Sequence, residues 1–218
     1  MIRTLPRLIA APDGKPVPDG ADELRALARR IATDPTAWTP DLAALMTGLF
    51  EDLAPAWDTQ HATGRLDFLT DALQRGGPLP PGVCLEIGSG TGQHTPLLAG
   101  AFEHVIALDL ARQMLTRAPA KAGARLQADA SQLPLAHACI TAIVCIDVLL
   151  FPAEITRVLH QDGVLVWANQ LGADGPLFLD TLTVIAALGG AWTAVQAEAG
   201  WGSWALLRRE ARAEDAAG

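Results

Sequence analysis

Four carboxylates stand in or at the ends of four successive apolar runs of this chain. Glu86 lies in VCLEI, Asp109 ends HVIALD, Asp129 ends ARLQAD and Asp147 ends AIVCID. Directly after the first run come three glycines at alternate positions, Gly88, Gly90 and Gly92, in CLEIGSGTGQHT. A glycine turn between a strand and a helix exposes backbone N–H groups at the helix N-terminus, and the missing Cβ atoms let a ligand approach the main chain. In a parallel sheet the four strand ends open on one edge, the edge where ligands bind. A row of acids there repels a pyrophosphate. It suits a ligand carrying hydroxyls, an amine and a cationic centre. Asp109 is placed to accept from both hydroxyls of a ribose, and Asp129 from an exocyclic amine such as that of adenine. Glu86 can orient backbone and water around an α-amino group or favour nearby positive charge. The rival is a dinucleotide turn, G-x-G-x-x-G; here the position three after Gly90 is Gln93, so its third glycine, which brings helix and strand close, is missing.

Elements that can position these groups are legible in the hydrophobic pattern. Strands are expected near 83–87, 104–109, 124–129, 142–147 and 164–169, with helices near 93–101, 111–118 and 152–160 between them. This alternation predicts a parallel sheet with helices on both faces. A helix near 176–188 and two strand-like runs follow, and Gly200-Trp201-Gly202 can turn the runs into a hairpin. Ahead of the sheet, helical stripes run through Leu24–Ile31, Leu42–Leu53 behind a Thr39-Pro40 start, and Leu66–Leu73. The first twenty residues hold four prolines and two glycines and read as an irregular arm. The expected organisation is an arm over 1–20, a helical cap over 21–76, a ligand-binding domain over 77–210 and a frayed tail over 211–218.

The chain has 218 residues, half of them hydrophobic, enough for one sizeable core. A net charge of −8 argues against a general nucleic-acid binder, which needs a basic face. Cys84, Cys139 and Cys145 lack metal-ligand spacing. Two of them fall within apolar runs and read as buried free thiols of a reducing compartment. No apolar run reaches membrane-spanning length and no signal-peptide core opens the chain, so a cytoplasmic protein without a membrane partner is expected.

Taken in order, the motifs resemble those of the class I S-adenosylmethionine-dependent methyltransferases, in the subgroup that includes quinone-biosynthesis C-methyltransferases. LEIGSGTGQHT is similar to that family's first motif, VIALDLARQML to its second and LQADASQLPL to its third. AIVCIDVLLF and EITRVLHQDGVLVWAN look like its fourth and fifth strands with the helix between them. The resemblance covers about residues 57–209. It implies an α/β, Rossmann-like, seven-stranded doubly wound sheet with an antiparallel C-terminal hairpin, preceded by the N-terminal helices. It implies S-adenosylmethionine as cofactor, with Glu86, Gly88, Gly90 and Gly92 against the methionine half, Asp109 at the ribose, Asp129 with Ala130 in the adenine region, and Ser89, Leu110 and Met114 also among the cofactor-binding residues. It implies a methyltransferase (EC 2.1.1.-).

Departures from the family pattern bear on the acceptor. Gln161-Asp162-Gly163 replaces the usual Pro-Gly-Gly before the fifth strand, and Leu149-Leu150-Phe151 stands where many members carry a histidine pair. The chain has no tyrosine and lacks the Asn/Asp-Pro-Pro-Tyr/Phe motif of amide and base N-methylators. An apolar acceptor is therefore expected. His61 and Asp147 are the catalytic candidates. His61 lies in LAPAWDTQHATGR, a stretch whose composition suits a segment that closes over the cofactor, and Trp57 in the same stretch reads as a packing anchor or an aromatic wall. Asp147 either faces the methyl-transfer space or caps the next helix. His94 reads as a helix-start residue, and His104, His137 and His160 as exposed. Asp147 and Asn169 sit where catechol-type enzymes bind magnesium, but the lysine base expected nearby is absent, so no metal is expected. Leu177, Phe178, Leu182 and Ile185 are candidates for the acceptor pocket. The expected function is methylation of a small, partly apolar molecule, at O, N or C. Methylation of RNA or protein, or a non-catalytic cofactor-binding regulator or scaffold, are the alternatives.

Overall fold

A computed structural model describes residues 1–60, 66–119 and 123–210. The eight strands are β1 (Ile2–Thr4), β2 (Val83–Ile87), β3 (His104–Asp109), β4 (Ala124–Gln127), β5 (Ile140–Ile146), β6 (Leu159–Asn169), β7 (Trp192–Ala199) and β8 (Gly202–Arg209). The helices are α1 (Ala21–Thr33), α2 (Pro40–Leu53), α3 (Trp57–Gln60), α4 (Asp67–Arg75), α5 (Thr95–Ala101), α6 (Arg112–Arg117), α7 (Pro152–Val158) and α8 (Thr181–Leu188). All strands join one sheet in the order β1-β7-β8-β6-β5-β2-β3-β4. Pairing is parallel throughout except at β8, which runs antiparallel between β6 and β7. The expected Rossmann-like sheet and its C-terminal hairpin are present.

The sheet has eight strands rather than seven. Residues expected to belong wholly to an irregular arm supply β1, which pairs in parallel with β7 through Ile2↔Ala194 and Thr4↔Gln196. The arm's prolines all lie after Thr4, so nothing in its first five residues blocks a ladder. A second difference lies before the fifth strand of the expected set. Ile140 pairs with Leu159 but Ala142 pairs with Val164, so His160–Gly163 are looped out within β6 instead of forming a separate turn.

Both sheet faces are covered. One carries Leu85, Ile143, Leu165 and Leu207 against α1, α7 and α8, through Ala28, Ile155, Val158 and Val184. The other carries Cys84, Val144, Val166 and Leu206 against α4 and α5, through Leu69, Ala72 and Leu98. The region expected as a helical cap thus divides. α1 and α4 lie on opposite faces of the sheet core, whereas α2 and α3 gather at the glycine turn. Thr39 starts α2 as expected, its Oγ1 accepting from Leu42 N–H at 3.2 Å. Buried Asp71 accepts from Arg75 at 2.8 Å and from the Trp204 indole at 2.8 Å, tying α4 to β8. Among the described residues no helix is long and apolar enough to cross a membrane.

Candidate functional site

The glycine turn follows β2 directly. Gly88, Gly90 and Gly92 take φ of +69°, +55° and +76°, a region that disfavours other residues. A Cβ on Gly88 would stand 2.2 Å from Val148 Cγ1. The turn is held from within: Ser89 N–H donates to Leu108 O at 2.9 Å, and Gly92 N–H to Ser89 O at 2.9 Å. The buried Ser89 Oγ has no partner among the described residues.

Asp109, at the end of β3, is the organising acid. Its Oδ2 accepts from Gly90 N–H and its Oδ1 from Ala111 N–H, both at 2.8 Å. The carboxylate therefore clamps the turn to the start of α6, while each oxygen keeps a further lone pair for a ligand. Burial pushes its carboxyl above the ordinary range, and the backbone N–H bonds oppose that shift. Glu86 is 2% exposed and accepts from Thr95 Oγ1 at 2.6 Å. Burial raises it to about 7, with Thr95 pulling the other way and Asp109 adding to the rise.

The N-terminal helices reach this edge. Glu51 of α2 caps α6, accepting from Arg112 N–H at 2.6 Å and Gln113 N–H at 3.1 Å. Asp58 of α3 accepts from Thr91 Oγ1 at 2.5 Å and Gln93 Nε2 at 2.8 Å. Trp57 packs edge-on to Phe50, and its Nε1 lies 3.9 Å from where a Gly90 Cβ would stand. It is both packing anchor and wall of the turn. Asp129 accepts from Ser131 N–H at 2.8 Å and from the Trp38 indole at 2.9 Å. Trp38 in turn meets Phe151 edge-on at 5.4 Å. Sequence reading missed Trp38, Glu51 and Asp58; they come from segments far from the motifs, and no local spacing marks them.

Other candidates sort clearly. Met114 is 1% exposed and packs with Ala54 and Ala111 beside the turn. Leu110 follows Asp109 and its carbonyl accepts from Gln127 Nε2 at 3.3 Å. Ala130 packs on the sheet core. Asp147 does not cap α7, whose N-cap is Phe151. It takes φ +48° and accepts from Gln170 N–H at 3.2 and 3.3 Å, and burial pushes its carboxyl up to about 6. His94 is buried edge-on to Phe68 and held neutral, its pKa lowered to about 4 by burial. His61 lies outside the described residues. Leu182 is exposed, whereas Leu177 and Ile185 pack on the core. Among the described residues no group of acids, histidines and cysteines has the geometry of a metal site.

The residues fit the expected cofactor at its ribose and methionine parts. The orphaned Ser89 hydroxyl and the Cβ-free turn leave polar groups for a ligand, and Asp109 is fixed at the strand end. At the adenine end Asp129 already holds an indole.

Comparison with known proteins agrees. Residues 85–167 match the model of a methyltransferase domain. No curated protein matches the chain. Among solved structures, the DhpI–SAH complex is 19% identical, with 80% of this chain and 100% of that chain covered and a TM-score of 0.59. A protein proposed to be an S-adenosyl-L-methionine-dependent methyltransferase, from Methanococcus maripaludis, is 17% identical, covering 75% of this chain and 93% of that one at a TM-score of 0.57. A complex between the Haloferax volcanii Trm112 methyltransferase activator and a proposed methyltransferase matches at 17% identity and a TM-score of 0.46. That match covers 55% of this chain and 59% of the other, less than two thirds of its length.

Proposed function

We propose that this chain, a class I S-adenosylmethionine-dependent methyltransferase by its matched domain and its sheet, transfers a methyl group to a small, partly apolar acceptor. S-adenosylmethionine is the cofactor the family match supports. The observation that carries the site assignment is the Asp109 clamp. One carboxylate fixes the glycine turn and the next helix together, and each of its oxygens keeps a further lone pair for a ligand.

The cofactor, when bound, supplies a methyl group on a positively charged sulfur, which makes it a good electrophile. The chain's own work is then to bind, orient and exclude water. Asp109 takes the ribose hydroxyls. Gly90 and Gly92 let the ligand lie against the backbone, and Ser89 Oγ offers a polar contact. Glu86 favours positive charge nearby in its ionised form. Asp147, at the end of β5 and pushed up to about 6, is ionised at neutral pH and able to take a proton. Trp57 and Asp58 cover the turn. The net charge of −8 supports a small molecule over RNA. The buried free thiols Cys84 and Cys145 support a reducing, cytoplasmic setting.

Calorimetric titration with S-adenosylhomocysteine and with NAD tests the reading. Binding of the first alone is expected. Asp109→Ala should weaken it by roughly 2–4 kcal/mol, since charge-assisted bonds to two hydroxyls are lost. NAD binding without S-adenosylhomocysteine binding, or unchanged affinity in the variant, contradicts it. A metabolite extract with labelled methyl donor then separates acceptor classes: label entering macromolecules alone refutes a small acceptor. Tight cofactor binding with no label transferred favours a non-catalytic role.

A further inference from the structure

Beyond the glycine turn the same sheet carries a second concavity. Residues paired across a ladder share a face, so register alone places Trp167, Asn169, Ser203, Ala205, Gln196 and Thr4 on one face of the four strands β6, β8, β7 and β1. The segment from Ala173 to Thr181 roofs this face and leaves a cleft of about 310 Å³, which Phe178 and Leu179 also line. That volume lies at the low end for small-molecule sites and suits one or two fused rings. Of the four residues expected around the acceptor, Phe178 lines this cleft.

The polar groups of the cleft divide in two. Most are engaged with one another. Gln196 donates to Thr4 Oγ1 at 3.0 Å and accepts from Thr181. Asp180 caps α8 through Thr183 N–H at 2.9 Å, Arg7 pairs with Glu198 at the mouth, and the Trp167 indole donates to Leu179 O at 3.2 Å. Asn169 and Ser203 are different. They face each other directly across β6 and β8, and neither side chain makes a hydrogen bond among the described residues. Asn169 is 2% exposed and its Oδ1 is buried without a partner. A buried polar atom left unpaired is costly, and such an atom beside a part-buried, unpaired hydroxyl points to a ligand group that bonds both. A turn of the terminal carboxamide brings either of its atoms to a ligand. A hydroxyl, which both donates and accepts, matches that carboxamide and the serine hydroxyl together. Every charged group of the lining is already paired or capping, so the ligand is neutral. Trp167 and Phe178 provide flat apolar walls.

Position links the cleft to chemistry. Asn169 ends β6, and Ile146 pairs with Ala168, so Asn169 stands beside Asp147 on the sheet edge that carries the glycine turn. We propose that this cleft is the acceptor pocket, and that it takes a neutral, hydroxylated aromatic ring system with its hydroxyl held between Asn169 and Ser203. The acceptor role rests on the methyl-transfer reading above.

Equilibrium dialysis of the full chain with 2-naphthol and with naphthalene provides the test. Wild type should bind the naphthol about fivefold more tightly, the worth of one net hydrogen bond. The difference should shrink to within about twofold in Ser203→Ala and in Asn169→Leu. Ala173→Trp, at an exposed position of the mouth, should weaken both ligands at least tenfold on steric grounds. Equal affinity of wild type for the two ligands, or unchanged binding in Ala173→Trp, overturns the cleft and leaves the methyl-transfer reading standing. S-adenosylhomocysteine is titrated into the same proteins and should bind all of them as it binds wild type. Its failure to bind wild type, with naphthol discrimination intact, overturns the acceptor role.

Discussion

The sheet edge at β2 and β3 and the cleft under the Ala173–Thr181 roof handle polar groups in opposite ways. At the edge almost every acid has a donor supplied by the protein: Asp109 holds Gly90 and Ala111, Glu86 holds Thr95, and Asp129 holds Trp38 and Ser131. In the cleft the side chains of Asn169 and Ser203 have no partner among the described residues while their neighbours pair off. The edge is pre-organised, so its groups can contribute to binding without being ordered at that moment. The cleft keeps its unmet bonds for the ligand, which is how a site rejects molecules that lack the matching group. A pre-organised edge serves a constant ligand; unmet groups serve discrimination.

The sharpest way to break this contrast is at the turn itself. Gly88→Ala forces a Cβ into Val148 at a positive φ and should cost roughly 3–5 kcal/mol of stability, read as a lowered denaturation midpoint. A neutral result would mean the edge is plastic and its ordered bonds incidental.

Glu86 tests whether the edge holds a stability cost for the sake of binding. Its folded pKa of about 7 lies above the ordinary glutamate value of 4.5. The folded state therefore binds the proton more tightly, and the associated stability is full below pH 4.5 and lost as pH rises through 7. Glu86→Gln should stabilise the protein by about 3 kcal/mol at pH 8, little at pH 4, and weaken S-adenosylhomocysteine binding. His94, lowered to about 4, acts in the opposite sense as pH falls from 6.5, so the difference between variant and wild type is the quantity to measure. A pH-independent difference, or unchanged ligand affinity, would place Glu86 outside the site.

The smallest effect is expected at Trp38. Trp38→Phe removes one donor to Asp129 at a cost of about 1 kcal/mol and frees that acid for an amine. S-adenosylhomocysteine should then bind about two- to fivefold more tightly. Weaker binding would instead make the Trp38 indole part of the ligand's wall, and the adenine end as pre-organised as the rest of the edge.

Much of the edge was legible because its determinants are local. Strand, glycine turn, helix and terminal acid lie within a few residues of one another, and apolar periodicity places them. The hydrogen-bonded Glu86 and the clamp on Asp109 involve partners two to nineteen residues away, within the same βαβ unit. Trp38, Glu51 and Asp58 escaped because their partners lie between 33 and 91 residues downstream. Met114 packs against Ala54, another distant partner that its motif position does not reveal.

The sequence by itself determined the alternating strands and helices, the glycine turn, the acids at the strand ends and the C-terminal hairpin, since each follows from propensity, periodicity or backbone freedom within a short window. Tertiary structure alone decided that Ile2–Thr4 joins β7 as an eighth strand, that α2 and α3 close on the turn, and that Asn169 and Ser203 face one another across β6 and β8. Those features depend on which distant segments meet. Ladder register and packing of the whole sheet fix that, and no local run of residues encodes it.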